Sequence, residues 1–330
     1  MYRGFTPVTL QLRATRIHDE PLIIPNMDGR MGENICNPAV IRVPEWVPNP
    51  LGRYYLYFSD HKGSYIRMAF AEHVLGPWRM HEPGVLDISE SRFPVVDPPE
   101  PPPEERPPWA QHMKGGYMYA HIASPDVHVD TNGRRILMYF HGLLPNGDQA
   151  TRFAVSSDGL RFDVMEPLLG PPYFRAFERD SYIYTIAWGG AMWRSPNWDE
   201  PFSQGPKIVH YDALGGRGEG FRHGETFVVG DTLFVLFTWM GDAPERLRYC
   251  TVDLRDEWPN WRASEIHELL APELPWEGTD LPITTSTMGA ERHRVRELRD
   301  ACVFVDDDMT YLFYCGAGES AIGVTRLDVA

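Results

Sequence analysis

Acid and histidine side chains recur along this chain at one spacing. In Ser124-Pro125-Asp126-Val127-His128-Val129-Asp130, Asp126 and His128 stand two residues apart on a short apolar run that ends at the turn Asn132-Gly133. Side chains at i and i+2 share one face of a strand, so these two point one way and the valines the other. Asp126 lies seven residues before Gly133, His223 seven before Gly230 and Asp300 seven before Asp307, each just ahead of a second β-rich run. Glu225 follows His223 at the same i+2 spacing, and Tyr173 with Arg175 fills the corresponding place in another segment. Carboxylates and imidazoles gathered in one place do general acid–base chemistry once burial and neighbouring charge drive their pKa values apart.

The elements that must position these groups are short strands. Helical periodicity is scarce, and 30 Pro and 29 Gly punctuate the apolar runs, which reads as an all-β chain of strands joined by turns. A four-strand phrase recurs at a period of about 48 residues, the signature of a β-propeller whose blades are four-stranded sheets around a channel. Five phrases predict a single five-bladed propeller domain over residues 1–330, with blades at about 34–81, 122–170, 171–210, 219–270 and 298–327. In the second blade the outer strand is read at Asp158 to Phe162, and in the third at Glu200 to Phe202. The fifth phrase lacks its fourth strand. A ring keeps no exposed edge only when its ends are fastened, so an N-terminal segment within about residues 5–25 is expected to supply that strand. Two insertions interrupt the period. Glu82 to Tyr117 contains a proline run and is read as an extended loop; Leu270 to Leu298 precedes the last blade, and either could roof the channel.

Innermost strands line a propeller's axis, so a small-molecule site draws its residues from different blades. Counting seven back from each turn puts Asp126, Tyr173, His223 and Asp300 at the axis, with Asn37 as the approximate counterpart in blade one. Two residues further along, the same face carries His128, Arg175, Glu225, Cys302 and Ala39. Asp126, Glu225, His223 and Asp300 are the candidate catalytic groups. Asn37, His128, Tyr173, Arg175, Arg222, Arg299 and His61 are the candidate ligand contacts. Arg222 and Arg299 fall one residue out of phase, a position suited to bracing loops or carboxylates at the mouth. Each has a plain structural alternative: Asp126 bonding backbone amides, His128 as a satisfied core histidine, Glu225 paired with Arg222 or Arg175, Asp300 in an Arg–Asp pair. No cofactor is implied, although His128 with waters could hold a channel divalent ion such as Ca²⁺.

Composition narrows the partners. A formal net charge of -15 and a pI near 5.2, with no basic cluster, repel phosphate backbones and anionic membranes, so a small solute is the better expectation. The N-terminal stretch carries Arg3, Arg13 and Arg16 without the apolar run of a signal peptide, and nowhere do about 18 apolar residues run together, so a cytoplasmic protein is expected. Four cysteines (Cys36, Cys250, Cys302, Cys315) sit far apart in apolar strands and are read as buried thiols. Oligomeric state is not encoded in any of these features.

The recurring phrase of Pro-Asp strand, glycine turn, tyrosine-rich strand and Ala-x-Ser strand resembles the five-bladed propeller glycoside hydrolases of family 43, the arabinanases and β-xylosidases, and the neoagarobiose hydrolases. The segments Asn49-Pro50-Leu51-Gly52-Arg53-Tyr54-Tyr55-Leu56-Tyr57-Phe58, Ile122 to His128 and Gly241 to Arg246 are similar to a group of uncharacterised bacterial propellers of that clan. The resemblance, from about Asn34 to Leu327, implies glycosidase chemistry on a small oligosaccharide with a base, a pKa-tuning acid and a proton donor on separate blades. Asn37-Pro38 stands where family 43 members open blade one with an Asp-Pro base. Tyr173 and Arg175 stand where they carry a third-blade Asp, and Glu225 matches the fourth-blade acid, with His223 as the competing donor that the neoagarobiose hydrolases imply. Elimination from a uronate and sugar binding without catalysis are the two other readings.

Overall fold

The computed structural model describes residues 10–110, 115–210 and 220–330. Five antiparallel sheets follow one another around an axis. Their innermost strands are Cys36–Arg42, Ile122–Asp130, Arg175–Arg179, Gly220–Val229 and Leu298–Asp306. Each is followed outward by its neighbours in sequence, so every blade is a meander. The fifth blade is completed by Leu12–Arg16, which pairs antiparallel with Ala321–Val329 from Leu12 opposite Val329 to Arg16 opposite Thr325. The expected ring closure by an N-terminal strand is therefore present.

The blades are held by apolar side chains between them, one cluster at each junction. Leu56, Phe58 and Ala69 of blade one meet Phe304, Phe313 and Val324 of blade five. Tyr55, Tyr57 and Met68 meet Ile136, Met138 and Phe140 of blade two. Such alternation is what a strand buried on both faces requires, and it explains why tyrosine and phenylalanine crowd the second strands. The closing strand is latched from outside the sheet. Glu277, fully buried in the second insertion, accepts from Arg16 Nη2 at 2.8 Å and from the Tyr314 hydroxyl at 2.6 Å. The adjacent Trp276 ring lies flat over Gly316 and Gly323, where any Cβ would run into it.

Three expectations need correction here. The outer strand of blade two is Asp163–Gly170, not Asp158 to Phe162, and that of blade three is Ser203–Lys207. Residues 156–161 form a turn instead: the Ser156 hydroxyl accepts from Gly159 N, and Asp158 Oδ1 from Leu160 N at 2.8 Å, a local bonding pattern that competes with sheet pairing. The first insertion is not simply extended. Leu86–Asp87 adds to the third strand of blade one, and three single 3₁₀ turns follow. The four cysteines are free and buried, as read from the sequence.

Candidate active site

Four of the five inner strands enter the channel through a β-bulge. In blades one, two, four and five one extra inner residue intervenes between consecutive pairs: Cys36 opposite Ser59 then Ala39 opposite Tyr57, and likewise Ala123 to Asp126, Phe221 to Gly224 and Arg299 to Cys302. Bulges twist a strand and re-aim a side chain. Asn37, Ser124, Tyr173 and Asp300 take φ values of 57°, 53°, 65° and 52°. Asn and Asp tolerate this left-handed backbone; for Tyr173 it is a strained choice of the kind that marks functional positions.

This register moves Asp126. The hairpin of blade two closes at Asp130 opposite Arg135 with four residues between, whereas blades three, four and five close with two. Counting back from Gly133 therefore overshoots toward the hairpin by two, and the equivalent of Tyr173, His223 and Asp300 is Ser124. Asp126 belongs one layer deeper, with Ala39, Arg175, Glu225 and Cys302; His128 lies deeper still. The expected single cup is two separate cavities.

The upper cavity, about 820 Å³, opens at the bulge end. His61, Lys62, Tyr119, Tyr173, Arg222 and His223 line it, with Trp109, Trp188 and Trp193 as apolar walls. Both insertions contribute, the first through Trp109 and Tyr117 and the second through Gly289 and Arg292, so both roof the mouth. At its base the His223 ring nitrogen Nδ1 is hydrogen-bonded to Asp300 Oδ1, and Asp300 Oδ2 accepts from Asn37 N at 3.2 Å. Burial keeps His223 below the ordinary histidine value although Asp300 pulls the other way. Burial opposes ionisation of Asp300, but His223 outweighs it and holds the carboxyl below its usual range. The neutral imidazole thus donates from Nδ1 to a carboxylate, and Nε2 is left as the proton acceptor.

An aromatic ladder leads to that ring. Tyr173 lies 4.2 Å from His223 on one side and 4.2 Å from His141 on the other, and His121 continues the stack to Tyr119. Burial drives His121 down to about 4 and His141 well below the usual value, so both are neutral. Neither ring nitrogen of His141 has a hydrogen-bond partner among the described residues.

Behind the cup lies a buried charge network. Arg222 makes a two-pronged pair with Glu245 at 2.7 and 2.9 Å. Arg299 bonds Glu297 at 2.6 Å and Glu319 at 2.9 Å, and His61 Nδ1 lies 3.2 Å from Glu319. The out-of-phase arginines thus brace carboxylates, as expected. Both are buried, Arg222 at 2% and Arg299 at 1% exposed, but Arg222 lines the cup and Arg299 does not, so as a ligand contact Arg299 is displaced.

The lower cavity, about 800 Å³, opens at the hairpin end and contains Asp126, His128, Arg175 and Glu225. Arg175 closes the axis between the two, its guanidinium reaching the carbonyls of Pro125 at 2.9 Å and Pro38 at 3.4 Å. Asp126 accepts from His128 Nε2 and from Ala176 N, both at 2.9 Å. Glu225 lies 3.5 Å from the Arg175 Nε. Asp126 and Glu225 share the Arg175 guanidinium and repel each other. Burial lifts Glu225 to about 8, with Arg175 opposing and Asp126 adding to the shift, while His128 and Arg175 overcome burial to keep Asp126 low. A carboxyl whose folded pKa is raised loses stability as pH climbs from its unfolded value of roughly 4.3 to its folded one. Glu225→Gln should therefore match the native thermal midpoint near pH 5 and exceed it near pH 8; melting curves across that range check this, and parallel curves would refute it. Among the described residues no three His, Cys, Asp or Glu side chains are grouped to hold a metal ion, and His128 spends Nε2 on Asp126.

The turn Phe58 to Gly63, whose charge the sequence allows at the mouth, does bring His61 and Lys62 to the cup; Tyr119, His121 and Arg292 carry no such signal from a repeat. All sit outside the inner strands, in turns and insertions that carry no period. The Tyr119-x-His121 alternation was the one available signal.

These features define a five-bladed β-propeller with a roofed polar cup at one end of its axis. The chain belongs to one family with the uncharacterized protein R118 of Acanthamoeba polyphaga mimivirus, to which it is 33% identical over 313 residues, 89% of this chain and 83% of that protein. No protein-family profile matches the sequence. Among solved structures, a glycosyl hydrolase from Bacteroides ovatus superposes with a TM-score of 0.59 at 12% identity, covering 96% of this chain and 93% of the other. CoXyl43, a family 43 β-xylosidase/α-arabinofuranosidase from a compost microbial metagenome solved in complex with xylotriose, gives 0.58 at 11% identity over 95% and 94%. The fold is that of the family 43 glycoside hydrolases.

Proposed function

We propose that this chain is a carbohydrate-active enzyme that cleaves a small glycoside in the upper cup, with His223 moving the proton and Asp300 positioning it. The observation that carries the reading is the His223–Asp300 pair at the floor of a tryptophan-walled cavity. Indole faces suit the apolar faces of sugar rings, and an imidazole oriented through Nδ1 by a carboxylate is a general base or acid at Nε2. The propeller glycosidase fold supports the substrate class.

The uppermost inner positions of the five blades hold Asn37, Ser124, Tyr173, His223 and Asp300. Hydrolysis by two facing carboxyls needs a second acid across the site, and the one carboxylate of this layer is fully engaged. Asp126 and Glu225, whose pKa values are driven apart as an acid–base pair requires, lie beyond Arg175. That arrangement favours β-elimination from a uronate as the route of cleavage. Neutral His223 takes the proton α to the carboxylate, and Tyr173, which burial keeps protonated, donates to the departing glycosidic oxygen as the C–O bond breaks. The electron pair of the broken C–H bond becomes the new C=C bond. Incubation with neutral and uronate-containing oligosaccharides decides: an unsaturated product absorbing in the near ultraviolet supports elimination, reducing sugar without that absorbance supports hydrolysis, and binding without turnover would overturn the enzymatic reading.

A further inference from the structure

The rim of the upper cup carries two cations that the fold does not use. Lys62 and Arg292 line the cavity from separate elements, the blade-one turn between Tyr54–Ser59 and Tyr65–Ala71 and the second insertion. Neither has a salt bridge among the described residues. Lys62 lies 4.0 Å over the Tyr119 ring. Its amine is held below the usual lysine value by burial first and then by Arg292; Asp97 and Asp60 act in the opposite sense but do not restore it. Asp60 and Asp97 are themselves engaged, Asp60 3.5 Å from Arg67 and Asp97 accepting from Ala120 N at 2.8 Å.

The other cations near the cup are neutralised. Arg222 is matched by Glu245, and Arg299 by Glu297 and Glu319. Asp148 is the one carboxylate among the cavity's lining side chains. In a chain whose formal net charge is -15, two unmatched cations facing one pocket are a local reversal of field. Like charges brought together disfavour each other, and an anion placed between them relieves that cost. Cavity volume and tryptophan walls fit one or two sugar rings, and the cations fit a carboxylate on one of them.

We propose that the cup selects acidic sugars, with Lys62 and Arg292 binding the uronate carboxylate. This rests on the cup being a carbohydrate site. The test is calorimetric binding to the His223→Asn chain, so that turnover does not intervene. The probes are disaccharides ending in glucuronate or galacturonate, the matching disaccharides ending in glucose or galactose, and sodium acetate.

The uronates should bind at least tenfold more tightly than their neutral counterparts. The preference should collapse in the Lys62→Met/Arg292→Met double variant, and weaken as salt rises from about 50 to about 300 mM. Equal binding of acidic and neutral sugars would overturn the acidic class, and a preference surviving in the double variant would overturn the assignment of the carboxylate to Lys62 and Arg292; either leaves the carbohydrate reading in place. Acetate binding as tightly as the uronates, with neutral sugars not binding, would retain the anion pocket and overturn the sugar reading. Binding of none of the probes would overturn both.

Discussion

His223→Asn is expected to lower turnover by about 10²–10⁴-fold, the range removed with a positioned general acid or base, while the protein stays folded. An asparagine amide can place an N–H where Nδ1 sits, so buried Asp300 keeps a donor. It has no basic nitrogen to replace Nε2. Asp300→Asn should also depress the rate, by loosening the ring and the tautomer, and it carries a second signature. Asp300 raises the His223 pKa against burial, so removing its charge must let that value fall further. With His223 as the proposed base, activity should rise with pH as the ring loses its proton, and the acid limb of the pH–rate profile should move to lower pH in Asp300→Asn. Initial rates from pH 4 to 8 measure both effects. An unchanged limb with a reduced rate would mean that Asp300 supports the fold and not the proton transfer.

Arg299→Met should be the most destabilising single change at the cup. Arg299 is buried against Glu297 and Glu319, and Glu245 lies 3.8 Å away. Taking one partner from such a network leaves uncompensated buried charge, a cost of about 3–5 kcal/mol. Burial opposes ionisation of Glu319 and Glu245, yet His61 with Arg299 for the first and Arg222 with Arg299 for the second hold both carboxyls below their usual range. Carboxyls depressed in this way contribute stability that is present above their unfolded pKa and drains away as pH falls through the folded one. Denaturant midpoints should therefore drop for the native chain on acidification below about pH 5, and the variant should start lower and fall less. A variant with native midpoints at pH 7 would show that the acids are compensated elsewhere.

The fold was legible because a propeller is a repeat, and the period survives two long insertions. Ring closure was legible for a related reason: the last phrase, Leu298 to Leu327, has three strands where the others have four. What sequence misjudged was turn length. Two additional residues between Asp130 and Arg135 shifted Asp126 by one layer, because alternation preserves the face while the depth slides. The bulges, which place His223 beside Asp300, leave little trace in composition beyond Asn37 and Asp300, residues that accept a left-handed backbone. The blade-one turn that carries His61 and Lys62 was legible as charge near the mouth, whereas Arg292 was not placed because an insertion carries no period from which a position can be counted.

The pairing of Leu12–Arg16 with Ala321–Val329 imposes an order on biosynthesis. The strand that seals the ring leaves the ribosome before the five blades, and the strand it pairs with follows the first four. Until then the nascent chain holds a loose edge and a half-built cup, since Asp300 also belongs to the fifth blade. Long-range pairing of this kind slows folding, and it ties the arrival of the His223–Asp300 pair to the same late event.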